Sequence, residues 1–164
     1  MNVYPIEHYD YSNQRAGFLL RKHIQLPSLC HGAFGENFTV SGLDETTVCI
    51  GDVYQVGSCI VEVSQPRQPC WKLARKFQQP KLPFWIQQTG RTGWYLRVLH
   101  EGHVQSLDDF ILVNRKNPGW TLQKTNTLMY SPRKSTIEIE SLLKCKELSE
   151  SWRDTFYKLL IDSE

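Results

Sequence analysis

Cys70 follows a proline in the run Ser64-Gln65-Pro66-Arg67-Gln68-Pro69-Cys70-Trp71-Lys72-Leu73, with Arg67 three residues before it and Lys72 two after. Pro69 predicts a helix that opens here and runs to about Phe77. The first turn of a helix has free backbone N–H groups and a partial positive charge, which favour a thiolate over a thiol. A thiolate is a nucleophile or a ligand for a soft metal. The same residues also suit a buried cysteine in a strand-to-helix corner, stiffened for packing by the prolines around Arg67. Residue types alone leave both readings open.

Arg67 and Lys72 can hold an anion, the arginine through its planar fork and the lysine as a point charge. A helix start beside them adds N–H donors suited to phosphate. Together with Cys70 they suggest a phosphate-bearing, thiolate-ligated cofactor; the plainer reading is a surface pair of cations. Phe34-Gly35-Glu36-Asn37 brings a carboxylate and an amide out of a glycine loop. It is either a polar wall of a site or a turn in which Asn37 bonds its own backbone. His31 beside Cys30 lacks a second ligand pair, so a structural metal is not expected there. His8, His23, His100 and His103 show no ligand spacing, and the two that flank Glu101-Gly102 are expected to be exposed. The chain has no serine elbow, no G-x-G-x-x-G and no P-loop. Trp71 and Trp94 are large enough to line a pocket, but aromatics at strand and helix spacing are more often core.

These residues need a scaffold, and 164 residues can bury one core with a small appendage. Nineteen basic against seventeen acidic residues leave a net charge of +2, which gives no reason to expect a nucleic-acid polymer as partner. Arg21-Lys22-His23 and Arg133-Lys134 read as solvated faces. No apolar run approaches the ~20 residues needed to cross a bilayer, and the N-terminus lacks a signal-peptide pattern. A cytoplasmic protein with no membrane partner is expected. The five cysteines, at 30, 49, 59, 70 and 145, lack paired spacing and are expected as free thiols. Cys49 and Cys59 fall in apolar strand-like runs and read as core; Cys145 falls in a helical pattern, half-buried or exposed.

The pattern predicts a partly helical stretch from Pro5 to about residue 23, with a break at Gly17 and an end at Pro27. Phe38–Val40 reads as a strand, and 53–56 and 59–63 as a hairpin over Gly57-Ser58. In the second hairpin strand Cys59, Val61 and Val63 share a buried face, and Glu62 and Ser64 the opposite one. A short helix over 82–88 should stop at Gly90, and a strand should run from Trp94 to His100. Further strands are expected near 103–107 and 109–114, and 120–130 is ambiguous. Ser135 and Ser149 cap two tail helices, the second with a stripe of Trp152, Phe156, Leu159 and Leu160. Such a pair must pack on the body, on a partner or on a further helix. The sum is a mainly β fold, a barrel or sandwich with short peripheral helices and a helical tail.

The Cys70 run resembles the signature of MOSC domains, the C-terminal module of molybdenum cofactor sulfurases, and most of all their free-standing bacterial YiiM-type branch. Ala33-Phe34-Gly35-Glu36-Asn37, Gly51-Asp52, Thr89-Gly90 with Gly93-Trp94, the tail Leu148-Ser149-Glu150-Ser151-Trp152-Arg153 and the opening Tyr4-Pro5-Ile6-Glu7-His8-Tyr9 carry the resemblance in order along the chain. It implies a MOSC-type β-barrel over 1–118, then a linker and a small helical segment, three-helix-like, over 119–164. It implies molybdenum cofactor (molybdopterin) binding, with Cys70 as thiolate on the metal and Arg67, Lys72 and Asn37 toward the pterin and its phosphate. It implies reduction of small N-hydroxylated compounds, including N-hydroxylated purine base analogues, with electrons from a partner reductase. Glu36 or Asp52 would assist proton delivery. Pyridoxal phosphate is not called for.

The family carries a His-Gly-Gly segment before the Tyr-Pro-x-Glu-His-Tyr stretch, and Met1 falls three residues before Tyr4. The early barrel strands are therefore expected to be missing. The unpaired edges would favour association with a second copy. Two further readings stand beside the enzyme: a cofactor or sulfur carrier with Cys70 as a persulfide, and an inactive shortened homologue.

Overall fold

The computed structural model describes residues 1–9 and 29–162. Most of the stretch expected to be helical up to residue 23, with Gly17, Pro27 and the Arg21-Lys22-His23 cluster, lies outside the described residues. Of the rest, residues 7–9 are helical, whereas Pro5 ends a strand instead of opening a helix. The chain forms two compact units, one from Met1–Asp44 and Arg67–Gly93, the other from Glu45–Pro66 and Trp94–Glu164.

In the first unit β1 (Asn2–Pro5) and β2 (Phe38–Val40) pair in parallel, with Val3 opposite Phe38 and Pro5 opposite Val40. Helices α1 (Trp71–Lys76) and α2 (Leu82–Thr89) follow. Pro83 sits in the first turn of α2, where its missing N–H has no helical partner to lose. Gly90 ends α2 in the left-handed conformation, as its position in the sequence predicts. Tyr4, Tyr9, Phe34, Leu73, Leu82 and Ile86 form the core of this unit. Tyr4 lies 4.5 Å from Phe34 and 5.3 Å, edge-on, from Tyr9 between ring centroids. Gly93 has φ +71, and a Cβ there would stand 2.2 Å from the Val3 carbonyl oxygen. Only glycine tolerates that approach.

The second unit holds an antiparallel sheet in the order β5-β4-β3-β6, with β3 (Val53–Val56), β4 (Cys59–Pro66), β5 (Trp94–His100) and β6 (Ile111–Asn114). The hairpin over Gly57-Ser58 sets Val56 opposite Cys59, as read from the sequence. Two expectations are corrected. The strand near 103–107 does not form; Leu107 takes φ +75 and the Asp108 carboxylate accepts the Gln105 N–H, closing a turn instead. The second face of β4 is not solvated: Glu62 and Ser64 are as buried as Cys59. The reason is the tail. The ambiguous 120–130 stretch is helix α3 (Leu122–Tyr130), which packs on β4, and the Ser149 N–H bonds the Ser64 carbonyl.

Helices α4 (Thr136–Leu143) and α5 (Glu150–Ile161) start at Ser135 and Ser149, whose hydroxyls accept N–H groups three residues on. Trp152 and Phe156 are fully buried with ring centroids 5.9 Å apart. The tail thus finds its cover on the body of its own unit. Cys145 is buried rather than half-buried or exposed, and burial pushes its thiol up to about 11. Cys49 and Cys59 are buried as expected, while Cys30 and Cys70 are exposed.

Trp152→Ala should cost about 3–5 kcal/mol, the range for emptying a fully buried aromatic site. Gly93→Ala should cost more than the roughly 1–2 kcal/mol of left-handed strain alone, because the added methyl also overlaps Val3. Urea unfolding of each variant against the parent chain measures both.

Candidate functional site

Cys70 is the N-cap of α1, in extended conformation (φ −107, ψ 166), and its side chain makes no capping bond. Its thiol is exposed, so the buried-corner reading does not describe it. Lys72 is exposed one residue into the helix. Trp71 is 63% exposed, which separates it from the fully buried Trp94. Trp71, Lys72, Arg75 and Lys76 line an open depression of about 460 Å³.

Arg67 is buried, and its bonds explain how the site is held. Its N–H donates to the Gly93 carbonyl at 2.9 Å and its guanidinium to the Phe34 carbonyl at 2.7 Å. Lys76 adds a bond from Nζ to the Ala33 carbonyl at 2.6 Å. The 33–37 loop, the Cys70 run and the 89–93 turn, separate in the sequence, therefore meet in one unit.

Glu36 is half-buried in that loop. Its Oε1 accepts the Tyr9 hydroxyl, the Gly32 N–H at 2.8 Å and the Thr39 hydroxyl at 3.2 Å. Its Oε2 is buried with no partner among the described residues. Burial alone would raise the Glu36 pKa; the bonds, chiefly from Tyr9, outweigh it and hold the carboxyl below its ordinary value. Burial and the same bond push the Tyr9 phenol well above its ordinary value. Asn37 uses its side-chain oxygen to accept the Asn2 N–H at 2.8 Å, and its own N–H donates to Asn2. It is a tie between the loop and β1.

Asp52 belongs to the second unit and is fully buried. Arg115 grips both carboxylate oxygens, at 2.9 and 2.8 Å, and the Cys49 N–H donates to Oδ2 at 2.9 Å. These bonds hold the turn before β3. Burial, with Asp52 next, raises the Cys49 and Tyr54 pKa values. Glu62 is likewise held by Lys116 at 2.7 Å and Arg97 at 2.8 Å.

Tyr9, Arg115, Lys116 and Arg97 are the partners that sequence reasoning missed. A carboxylate inside an otherwise apolar strand, as at Glu62, is the available signal, since a buried charge needs a partner. Among the described residues no three His, Cys, Asp or Glu side chains gather as a metal site. A metal at Cys70 would take its other ligands from a cofactor. An exposed thiol beside an exposed lysine suits a soft-ligated, phosphate-bearing group of that kind.

The family model for the MOSC domain matches residues 1–110, and that for the YiiM-like 3-alpha helix domain matches 120–160. This chain belongs to the MOSC-domain family. It is 46% identical over 156 residues to the uncharacterized protein YflK of Bacillus subtilis (strain 168), covering 95% of this chain and 66% of that protein. It is 34% identical to protein YiiM of Escherichia coli (strain K12), covering 77% and 56%. A protein named reductase from Gibberella moniliformis (strain M3125 / FGSC 7600) is 35% identical over 118 residues, 71% of this chain and 20% of that protein. The chain spans less than two thirds of the length of each of these curated relatives. The crystal structure of YiiM from Geobacillus stearothermophilus is similar with a TM-score of 0.88 at 41% identity, covering 98% of this chain and 77% of that one. The Escherichia coli YiiM structure gives 0.85 at 30%, covering 100% and 78%. The mainly β fold with short helices and a helical tail is therefore the YiiM-type MOSC fold. No helix among the described residues is long and apolar enough to cross a membrane.

Two outcomes follow from the charge network. Asp52→Asn should destabilise the chain by about 3 kcal/mol in urea, because Arg115 loses its ionic partner at a buried carboxylate. Tyr9→Phe should raise the Glu36 titration midpoint toward the ordinary carboxylate value, as read by carboxyl-carbon NMR. Because the folded pKa is depressed, the stability that Glu36 contributes is complete above its unfolded value and lost as pH falls through the folded one. In Tyr9→Phe that acid-side loss should shrink.

Proposed function

We propose that this MOSC domain binds the molybdenum cofactor and reduces small N-hydroxylated compounds, N-hydroxylated purine base analogues among them. The observation that carries the reading is the exposed Cys70 thiol at the head of α1, next to the exposed Lys72. When bound, the cofactor would supply two-electron redox chemistry. The reaction consumes the N-hydroxyl compound, two electrons and two protons, breaks the N–O bond, and yields the amine and water.

The residues of this chain have separable tasks. Cys70 supplies the sulfur that anchors the metal. Lys72 neutralises the cofactor phosphate as a point charge. Arg67 acts through the backbone, holding the 33–37 loop and the 93 turn against the Cys70 run. Asn37 keeps that loop on β1. Glu36 offers the free oxygen Oε2 for a substrate or water proton, while Tyr9 fixes the other oxygen. MOSC membership and the name of the reductase relative support the redox class.

Chain purified with the cofactor should hold molybdenum and reduce N-hydroxyadenine with viologen as electron source, and Cys70→Ser should lose the reduction. Absence of molybdopterin in the parent chain, or full activity in Cys70→Ser, contradicts the reading. The exposed thiol also suits a sulfur carrier. A Cys70 persulfide by mass spectrometry without reductase turnover would favour that role.

A further inference from the structure

We propose that the face of the first unit that follows Cys70, along α1 and into α2, is the docking surface for an acidic electron-carrier protein. This rests on the reductase reading above and adds to it where the reductant approaches. The sequence has no Asp or Glu between Glu62 and Glu101, yet seven cations fall there: Arg67, Lys72, Arg75, Lys76, Lys81, Arg91 and Arg97. The whole chain is only +2, so this stretch concentrates its positive charge.

The structure turns that stretch into a surface. Lys72, Arg75, Lys76 and Lys81 are exposed, and none of them pairs with a carboxylate among the described residues. Two large aromatics stand among them, Trp71 at 63% and Phe84 at 57% exposure. The Trp71-Lys72-Arg75-Lys76 depression is one hollow; Gln79, Pro80, Lys81 and Trp85 line another of about 520 Å³. Exposed aromatics next to arginine and lysine are the make-up of an interface centre with a charged rim.

The occupant follows from charge and size. Six residues of helix extend about 9 Å, a short track for a phosphate polymer. Electron-transfer encounters are small, transient and steered by opposite charge, which a compact basic patch with an apolar centre provides. Trp71 and Lys72 directly follow Cys70, so a carrier seated here lies beside the residue that would anchor the metal. Each turnover takes two electrons, so a one-electron flavin or iron–sulfur carrier docks twice and leaves oxidised each time, and the protons come from solvent.

The test uses the full chain and oxidised flavodoxin as the acidic probe, titrated at about 20 and about 300 mM salt. Binding should weaken about tenfold or more at the higher salt and by a similar factor in Arg75→Glu/Lys81→Glu. Arg133→Glu, a charge reversal in the tail, should bind as the parent does. In turnover the double variant should raise the KM for reduced flavodoxin and leave viologen-driven turnover unchanged. No binding by the parent, equal binding by the double variant, or an unchanged KM overturns the proposal. So does tighter binding of a single-stranded oligonucleotide that displaces flavodoxin. Loss of viologen-driven turnover in the parent chain would instead sink the reductase reading and leave the binding result standing.

Discussion

The buried Arg67 is the constraint on which the candidate site depends. A guanidinium removed from water must be met by acceptors, and here the Phe34 backbone carbonyl is one. Its N–H and its fork bond two segments far apart in sequence, at Gly93 and Phe34. Pro66 and Pro69 limit the backbone on either side of it, so the position of Cys70 is set by a stiff run anchored at one charged residue. Gly93 completes the arrangement, because its missing side chain lets the turn close against Val3. The Cys70 side chain makes no capping bond and is left exposed.

Charge is distributed differently in the two units. In the second unit every deeply buried carboxylate of the β3–β4 region has a cation: Asp52 has Arg115, and Glu62 has Lys116 and Arg97. Those pairs fix a hairpin. In the first unit Glu36 is held by neutral donors on one oxygen, and the cations of α1 pair with no carboxylate among the described residues. A carboxylate oxygen without a partner among the described residues is thus found in the unit that carries Cys70, where a ligand could use it.

The sequence was readable where short-range chemistry decides the outcome. Gly90, Ser135 and Ser149 mark helix ends because a left-handed cap or a hydroxyl cap acts within a few residues. The Gly57-Ser58 hairpin is local for the same reason. The second face of β4 was not readable, since its cover comes from α3 and Ser149, far along the chain. The 103–107 stretch looked like a strand from its neighbours, but a local bond from Gln105 to Asp108 turned it. Cys70, Arg67 and Glu36 were picked out by type and spacing. Their ties to Phe34, Gly93 and Tyr9 needed the fold. Asp52 is legible by its motif, but its grip by Arg115 needed the fold.

The central claim is that Cys70 is the protein's own sulfur ligand to molybdenum. X-ray absorption at the molybdenum edge, on cofactor-loaded chain, tests this most directly. Cys70→Ser should show one sulfur fewer around the metal than the parent chain. Identical sulfur counts in the two proteins would contradict it.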